Sequence, residues 1–396
     1  MLILWLRQKG CLLVLMLVLM QQQDLAQPPV VADSTDFVTA SILVVSPGRE
    51  PYATAGHCAL RMECPSHGLD YCFTYETDIN EDLFLRFLSG KTQGGLYVVP
   101  TTRYLRDYSR EGRGVTAYAM NLTLQEKKEL WRSLDEELPL GLYKPFDFFR
   151  HNCTTMIYEK VLSVMNEEYV VGRDYQVNRE DNRRFFQMVQ REGPWTFFLA
   201  SLLADYVRPD VHIVERQYPV SLARWLQQAE IISANGTTRH LLQSEPKKLV
   251  KERIDSSPPF VTPTVAFILL LVWVIAVSVC HGLGVAMTFV RVSDRILFLA
   301  YTLLALLLMD VAIVKLFGER WNWMLIPFNV IPFLLWIIAR HQRWYRYVWF
   351  VYGLVLISFM VFLPFYRGMV EWPVELILVS LLLRCLCKFR LESCYN

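Results

Sequence analysis

A histidine and a cysteine in two short polar motifs are the residues of this chain best suited to covalent chemistry. One motif is Gly56-His57; the other is His151-Asn152-Cys153-Thr154-Thr155. A cysteine attacks an ester as its thiolate, and its pKa, ordinarily about 8.5, falls beside a histidine or at a helix N-terminus. Ile157, Val161, Val164 and Met165 recur at helical spacing, so Cys153 stands where an apolar-striped helix begins. The unpaired N–H groups of that first turn favour a negative sulfur and can hold the oxyanion of a tetrahedral intermediate. His57, on a strand, is the base that takes the thiol proton and later returns it. The chemistry that this pair suits is acyl transfer through a thioester.

A third polar group orients such a histidine, and Thr74, Tyr75 and Glu76 on the neighbouring strand are the candidates. Asn152 precedes the cysteine and supports it. His151 either lines the site or is simply exposed at a helix start. Cys58 is the rival nucleophile, but a residue adjoining His57 on a strand points to the opposite face, where core packing is expected. His67 lies in a loop. The histidine precedes the cysteine here, the reverse of papain-type enzymes; a permuted chain builds the same constellation, because geometry and not order defines it.

The chain must carry these residues through two unlike halves. It has 396 residues, 53% of them hydrophobic, and a net charge of +2, which gives nucleic acid no footprint. The apolar excess lies beyond Pro259. Ahead of it there is room for one domain of roughly 230 residues. Arg7 and Lys9, then the apolar run Cys11 to Met20, then a polar exit to Gln27, read as a cleaved export signal over residues 1–27. That run is too short to span a bilayer of about 30 Å. Export implies an oxidising compartment. Cys64 and Cys72 flank the hairpin-like Pro65-Ser66-His67-Gly68, and either a cross-strand disulfide or two buried thiols fits. No CxxC spacing occurs, so neither a metal nor any other cofactor is expected.

β-branched runs predict strands at Phe37 to Val45, Ala55 to Glu63, Asp70 to Thr77, Leu96 to Pro100 and Gly114 to Leu122, an antiparallel sheet of five. Helices are expected at Leu83 to Leu88, Thr101 to Arg110, Thr154 to Glu168 and Phe185 to Leu203, the last interrupted by Gly193-Pro194. A further helix, Thr123 to Glu137, opens on a capping box of Thr123 and Glu126. The basic cluster Lys247, Lys248, Lys251 and Arg253 reads as a solvated helix, and 256–259 as a linker. Five apolar stretches follow, near Phe260–Cys280, Ile296–Phe317, Trp323–Ala339, Val348–Tyr366 and Pro373–Cys387, each long enough or nearly so to cross a membrane. Arg291, Arg295, Arg340, Arg343, Arg346, Arg384, Lys388 and Arg390 crowd one set of span ends; only Lys315, Arg320 and Arg367 lie at the other. That bias predicts an exported N-terminal domain and a cytoplasmic C-terminus.

Beyond these patterns, Gly56-His57-Cys58-Ala59-Leu60-Arg61, Phe87-Leu88-Ser89-Gly90-Lys91-Thr92, Gly112-Arg113, Asn121-Leu122-Thr123 and Tyr143-Lys144-Pro145-Phe146-Asp147-Phe148-Phe149 with Asn152-Cys153-Thr154-Thr155 resemble the blocks of one family. Asn322 and Pro327-Phe328-Asn329 resemble a loop of its membrane domain. The family is the Lnb-type lipoprotein N-acyltransferases. The resemblance implies an α+β fold: a permuted papain-like (NlpC/P60-like) exported domain over 28–258, related to lecithin:retinol acyltransferases, then an all-α bundle of five transmembrane helices over 259–396. It implies a multi-pass protein of the bacterial inner membrane with its catalytic domain in the periplasm. It also implies the reaction, transfer of a fatty acyl group from a phospholipid to the α-amine of a diacylglyceryl-cysteine lipoprotein, with Cys153 as nucleophile and His57 as base. Thr74-Tyr75-Glu76 stands where members often show Asn-Tyr-Gly, and His151 where an acidic residue is common.

In the bundle, Asp310 and Glu375 are carboxylates within apolar stretches, a costly placement that marks function by default. Either suits the ethanolamine of a phospholipid or the acceptor amine; Asp310 could instead pair with Lys315 or Arg320. With Asn322 they are the substrate-binding candidates. A membrane-anchored thiol hydrolase of cell-wall peptides is the alternative activity, although five spans are more than an anchor needs. A non-enzymatic lipid-binding scaffold is the third.

Overall fold

A computed structural model describes residues 38–48, 50, 53–77, 86, 89–146, 151–165, 169–172, 190, 193–204, 218–232, 236–253, 261–314, 321–339, 344–363 and 371–391. The expected signal segment and all but Arg86 of the expected Leu83 to Leu88 helix lie outside these residues. Thr39–Val45 (β1) is buried from Ala40 onward, as its unbroken β-branched and apolar run requires of a central strand. It pairs antiparallel with His57–Cys64 (β2) on one side and Val115–Ala119 (β5) on the other. Leu69–Thr77 (β3), Gln93–Pro100 (β4), Leu142–Pro145 (β6) and Lys247–Val250 (β10) complete a seven-stranded sheet in the order β10-β5-β1-β2-β3-β4-β6. A separate three-stranded sheet joins Tyr169–Gly172 (β7), Ala229–Ile232 (β8) and Thr238–His240 (β9).

The sheet thus exceeds the expected five strands by its two edges. Both are four residues long, too short for a periodicity to register. The basic segment read as a helix is the edge strand β10, with Lys247 and Lys248 exposed beside Ala117 and Thr116; lysines on an edge discourage further pairing. The β2–β3 turn is a short 3-10 turn closed by Gly68 at φ 65. The register sets Cys64 against Leu69 and Cys72 against Arg61. Both cysteines are free and buried, so the two-thiol alternative holds.

Helices cover both faces. On one, Leu124–Glu137 (α2), Cys153–Ser163 (α3) and Pro219–Gln228 (α5) pack Leu130, Trp131, Ile157, Val161 and Leu222 onto Ile42, Leu60, Met62 and Phe73. Helix α2 carries the expected box: Glu126 N–H donates to Thr123 Oγ1, and Thr123 N–H to the Glu126 carboxylate. On the other face Thr101–Arg110 (α1) sets Tyr104 against Leu43, Ala59, Cys72 and Val115. Helix α3 begins at Cys153 itself and ends at Ser163, short of Glu168. Beyond the expected interruption at Gly193-Pro194 the chain forms Pro194–Ala204 (α4); proline suits a first helical turn and not an interior one. Of the helical stretch expected ahead of it, only Gln190 lies among the described residues, and it is helical.

Among the described residues the second half holds five helices: Pro263–Gly282 (α6), Met287–Val314 (α7), Ile331–Ala339 (α8), Tyr345–Phe362 (α9) and Trp372–Leu391 (α10). Among the described residues three of them, α6, α7 and α9, are long and apolar enough to cross a membrane. Helix α8 has nine residues, about 13 Å of rise, because the third apolar stretch is broken into a 3-10 turn at Trp323–Leu325 and a bend around Pro327 and Asn329. Helix α10 has the length, but its sequence carries Glu375, Arg384, Lys388 and Arg390. Arg384 is buried and grips Asp294 of α7 at 2.8 and 2.9 Å and Ser278 of α6 at 3.1 Å, which ties three helices together at one end.

The exported half meets the opposite end. Asn322 Nδ2 donates to the carbonyls of Leu202 and Leu203 in α4. Trp195 Nε1 donates to Val261 O just before α6, and Phe198 rests on Phe267. Gly90 lies so near the end of α7 that a Cβ there would come within 2.5 Å of Val314 Cγ1.

Candidate active site

Gly56 makes the turn into β2. It adopts φ 90, and a Cβ would stand 2.7 Å from Val45 O, so only glycine fits ahead of His57. The β2–β3 ladder runs from Leu60/Phe73 to Cys64/Leu69 and is open at the His57 end. Continued, its register sets His57 across from Glu76 and one step diagonal to Thr74, all on one face. The structure keeps that order. His57 Nε2 lies 2.6 Å from Thr74 Oγ1 and 3.8 Å from Glu76 Oε1. Tyr75 points the other way and donates to Glu137 Oε2 at 2.9 Å. The strand's alternation thus selects Thr74, with Glu76 behind it, from the three candidates.

Thr74 Oγ1 also lies 3.4 Å from the Cys58 carbonyl and bonds the Glu76 carboxylate. When its proton goes to either of these oxygens, Thr74 accepts from His57 Nε2–H and the lone pair falls on Nδ1. In that tautomer Nδ1 is the basic nitrogen.

Cys153 is the first residue of α3, half-buried. Asn152 caps the helix: its Oδ1 accepts from Thr154 N–H at 2.9 Å and Thr155 N–H at 3.0 Å, while Thr155 Oγ1 accepts from Asn152 N–H. The supporting role read for Asn152 is this cap. Burial pushes the Cys153 thiol up, and backbone N–H groups of Cys58 and Thr154 offset that only in part. The Cys58 amide adjoins His57 at the open end of the ladder, and Glu76 on the His57 face also acts on the sulfur. Cys153 thus comes against the amide of the residue that follows His57, at the start of β2. Cys58 is fully buried in the core, and its thiol is pushed well up by the same burial.

Two residues escaped the sequence reading as site members. Burial and the Arg113 guanidinium lower His57 to about 3, so the imidazole is neutral. Arg113 is itself buried; it donates to Ser46 O at 2.8 Å and Glu111 Oε2 at 3.2 Å and lies 4.8 Å from the Tyr108 ring centre. Tyr108 in turn lies 6.3 Å from the His57 ring. Arg113 stands in the Gly112-Arg113 block, but nothing local showed that a β5 neighbour would face β2. The thiol and the imidazole are thus both neutral at rest. Iodoacetamide labelling of Cys153, followed on its own peptide, is expected to be slow at pH 7 and still rising beyond pH 9. A plateau near neutrality would reveal a thiolate–imidazolium pair instead.

His151 is half-exposed before the helix. Asp310 is exposed on α7 and Glu375 half-buried on α10. Asn322 is buried, with its amide committed to Leu202, Leu203 and Met324. Its visible work is fastening α4 to the bundle.

Residues 31–177 match the family described as the Lnb N-terminal periplasmic domain. The matched segment contains β1 to β7 and both motifs. Among curated proteins and among solved structures, none matches the chain.

Proposed function

We propose, from the premise that this chain belongs over residues 31–177 to the Lnb N-terminal periplasmic domain family, that it is a lipoprotein N-acyltransferase with a thioester intermediate. What supports the reading is a helix-start thiol held by the amide of Cys58, the residue after a histidine that bonds Thr74 and faces Glu76, in a domain seated on one end of a helical bundle. His57 Nδ1 takes the Cys153 proton as sulfur attacks a phospholipid ester. The collapsing intermediate expels the glycerol oxygen, which receives that proton, and a lysophospholipid leaves. The lipoprotein α-amine then attacks the thioester carbonyl. His57 accepts a proton from the nitrogen, the amide forms, and the departing sulfur is reprotonated.

Both substrates are membrane-held, so orientation at the bilayer surface is the contribution of the second half; well-aligned reactants gain about 7–11 kcal/mol. In this reading all five helices serve as spans, α8 together with the broken segment before it. Arg291, Arg295, Arg384, Lys388 and Arg390 then lie on the cytoplasmic side, and the permuted NlpC/P60-like arrangement accounts for histidine preceding cysteine. Intact-mass analysis of a diacylated lipoprotein incubated with this protein and phospholipid tests the reading. One added acyl chain on the N-terminal amine is the expected result. Free fatty acid without a modified lipoprotein, or cleavage of a cell-wall peptide, would make the protein a hydrolase.

A further inference from the structure

Glu371 immediately precedes α10 and is 92% buried, its exposure being 8%. Its one hydrogen-bond partner among the described residues is neutral: Gln190 Nε2 donates to Glu371 Oε1 at 2.9 Å. The other two buried glutamates differ. Glu126 faces Arg239 at 2.7 Å, and Glu137 faces Lys160 and Lys144. A buried carboxylate without a cation is costly, and burial accordingly pushes Glu371 up to about 7. Such a site is completed by a cation from outside the chain.

Its position says which cation. Glu371 lies at the end of the bundle that meets the exported domain, opposite the Arg384–Asp294 cluster. Exposed tryptophans mark that end: Trp372 beside it, and Trp195, Trp321 and Trp323. Indoles collect at head-group depth. Gln190 is exposed, so the pair is reached from outside, and the Gln190 carbonyl oxygen remains as a second acceptor. The chain runs from this site toward the turn before His57. Gly193 follows Gln190 by three residues, a reach of at most about 11 Å, and a Cβ on Gly193 would stand 2.7 Å from Thr54 Cγ2, in the turn before His57.

We propose that Glu371 and Gln190 form a receptor for the primary ammonium of an ethanolamine phospholipid, holding the donor with its ester toward Cys153. The assignment of this lipid as donor rests on the acyltransferase reading; the head-group site does not. A carboxylate and an amide oxygen together accept two of the three ammonium N–H bonds. A choline head group offers none, and a glycerol head group no charge.

Native mass spectrometry of the full-length Cys153→Ser protein with dioleoyl phosphatidylethanolamine, phosphatidylglycerol or phosphatidylcholine reads binding without turnover. Ethanolamine lipid is expected to bind about tenfold more tightly than the other two. Glu371→Gln should abolish that preference and leave the glycerol lipid unchanged; Gln190→Leu, at an exposed position, should reduce it. With Cys153 intact, the same substitutions should remove the ethanolamine preference from thioester formation. Preference surviving in both variants, or equal loss for all three lipids, overturns the site. A change confined to the KM of the lipoprotein assigns the carboxylate to the acceptor and overturns it as well. Selective binding without any thioester on any donor would refute acyl transfer while leaving the head-group receptor standing.

Discussion

A Cys153→Ala protein is expected to form no acyl-enzyme and to transfer no chain, a loss of at least about 10,000-fold, the scale on which removing a nucleophile acts. The fold should survive. Cys153 is half-buried at a helix start, and its side chain holds a long contact to Thr154 Oγ1 at 3.9 Å beside the amides of Cys58 and Thr154; the cap that holds the turn belongs to Asn152. Cys58→Ala should do the reverse. It removes a fully buried sulfur from the core and costs about 1–2 kcal/mol of stability, but turnover per folded molecule should stay within a few-fold. Hydroxylamine-sensitive acyl adducts mapped by peptide mass spectrometry separate the two cysteines. An adduct on Cys58, or wild-type transfer by Cys153→Ala, would overturn the assignment of the nucleophile.

His57→Gln should lower acyl transfer by about 1,000- to 10,000-fold, because a general base and its oriented lone pair disappear together. Thr74→Val should cost less, about 10- to 100-fold, because it frees the tautomer without removing the base. Stability gives a second readout that no purely catalytic loss would move. His57 is held near 3 in the folded protein against an ordinary value of 6.5. A depressed value means that the unfolded chain binds the proton first. The stability of the wild type is therefore complete above pH 6.5 and falls as the pH drops toward 3, by about 1.4 kcal/mol per pH unit from this group. His57→Gln should abolish that share of the acid sensitivity, seen as a flatter dependence of Tm on pH between 6.5 and 4 in detergent. Equal slopes in the two proteins would mean that His57 is not held neutral by its surroundings.

The legible parts of the fold were those with a local cause. Thr123 and Glu126 announced a capping box because both partners lie within one turn. The run Thr39 to Val45 declared a central strand because every residue in it suits burial. What failed to show had a distant cause. The edge strand Lys247–Val250 exists because β5 offers it an edge, and nothing in Lys-Lys-Leu-Val says so.

The site divides in the same way. The sequence by itself determined the candidates for the reacting atoms: a cysteine at a helix start and a histidine behind a glycine, each marked by neighbours within a few positions. Tertiary structure alone decided how they are tuned. Thr74 reaches His57 through strand register, which fixes the face that a residue occupies. Arg113 acts on His57 through the order of strands across a sheet. Glu371 meets Gln190, 181 residues away, through the docking of the two halves. Register, strand order and domain docking are sums over many weak contacts between remote segments, and no short stretch of chain encodes them.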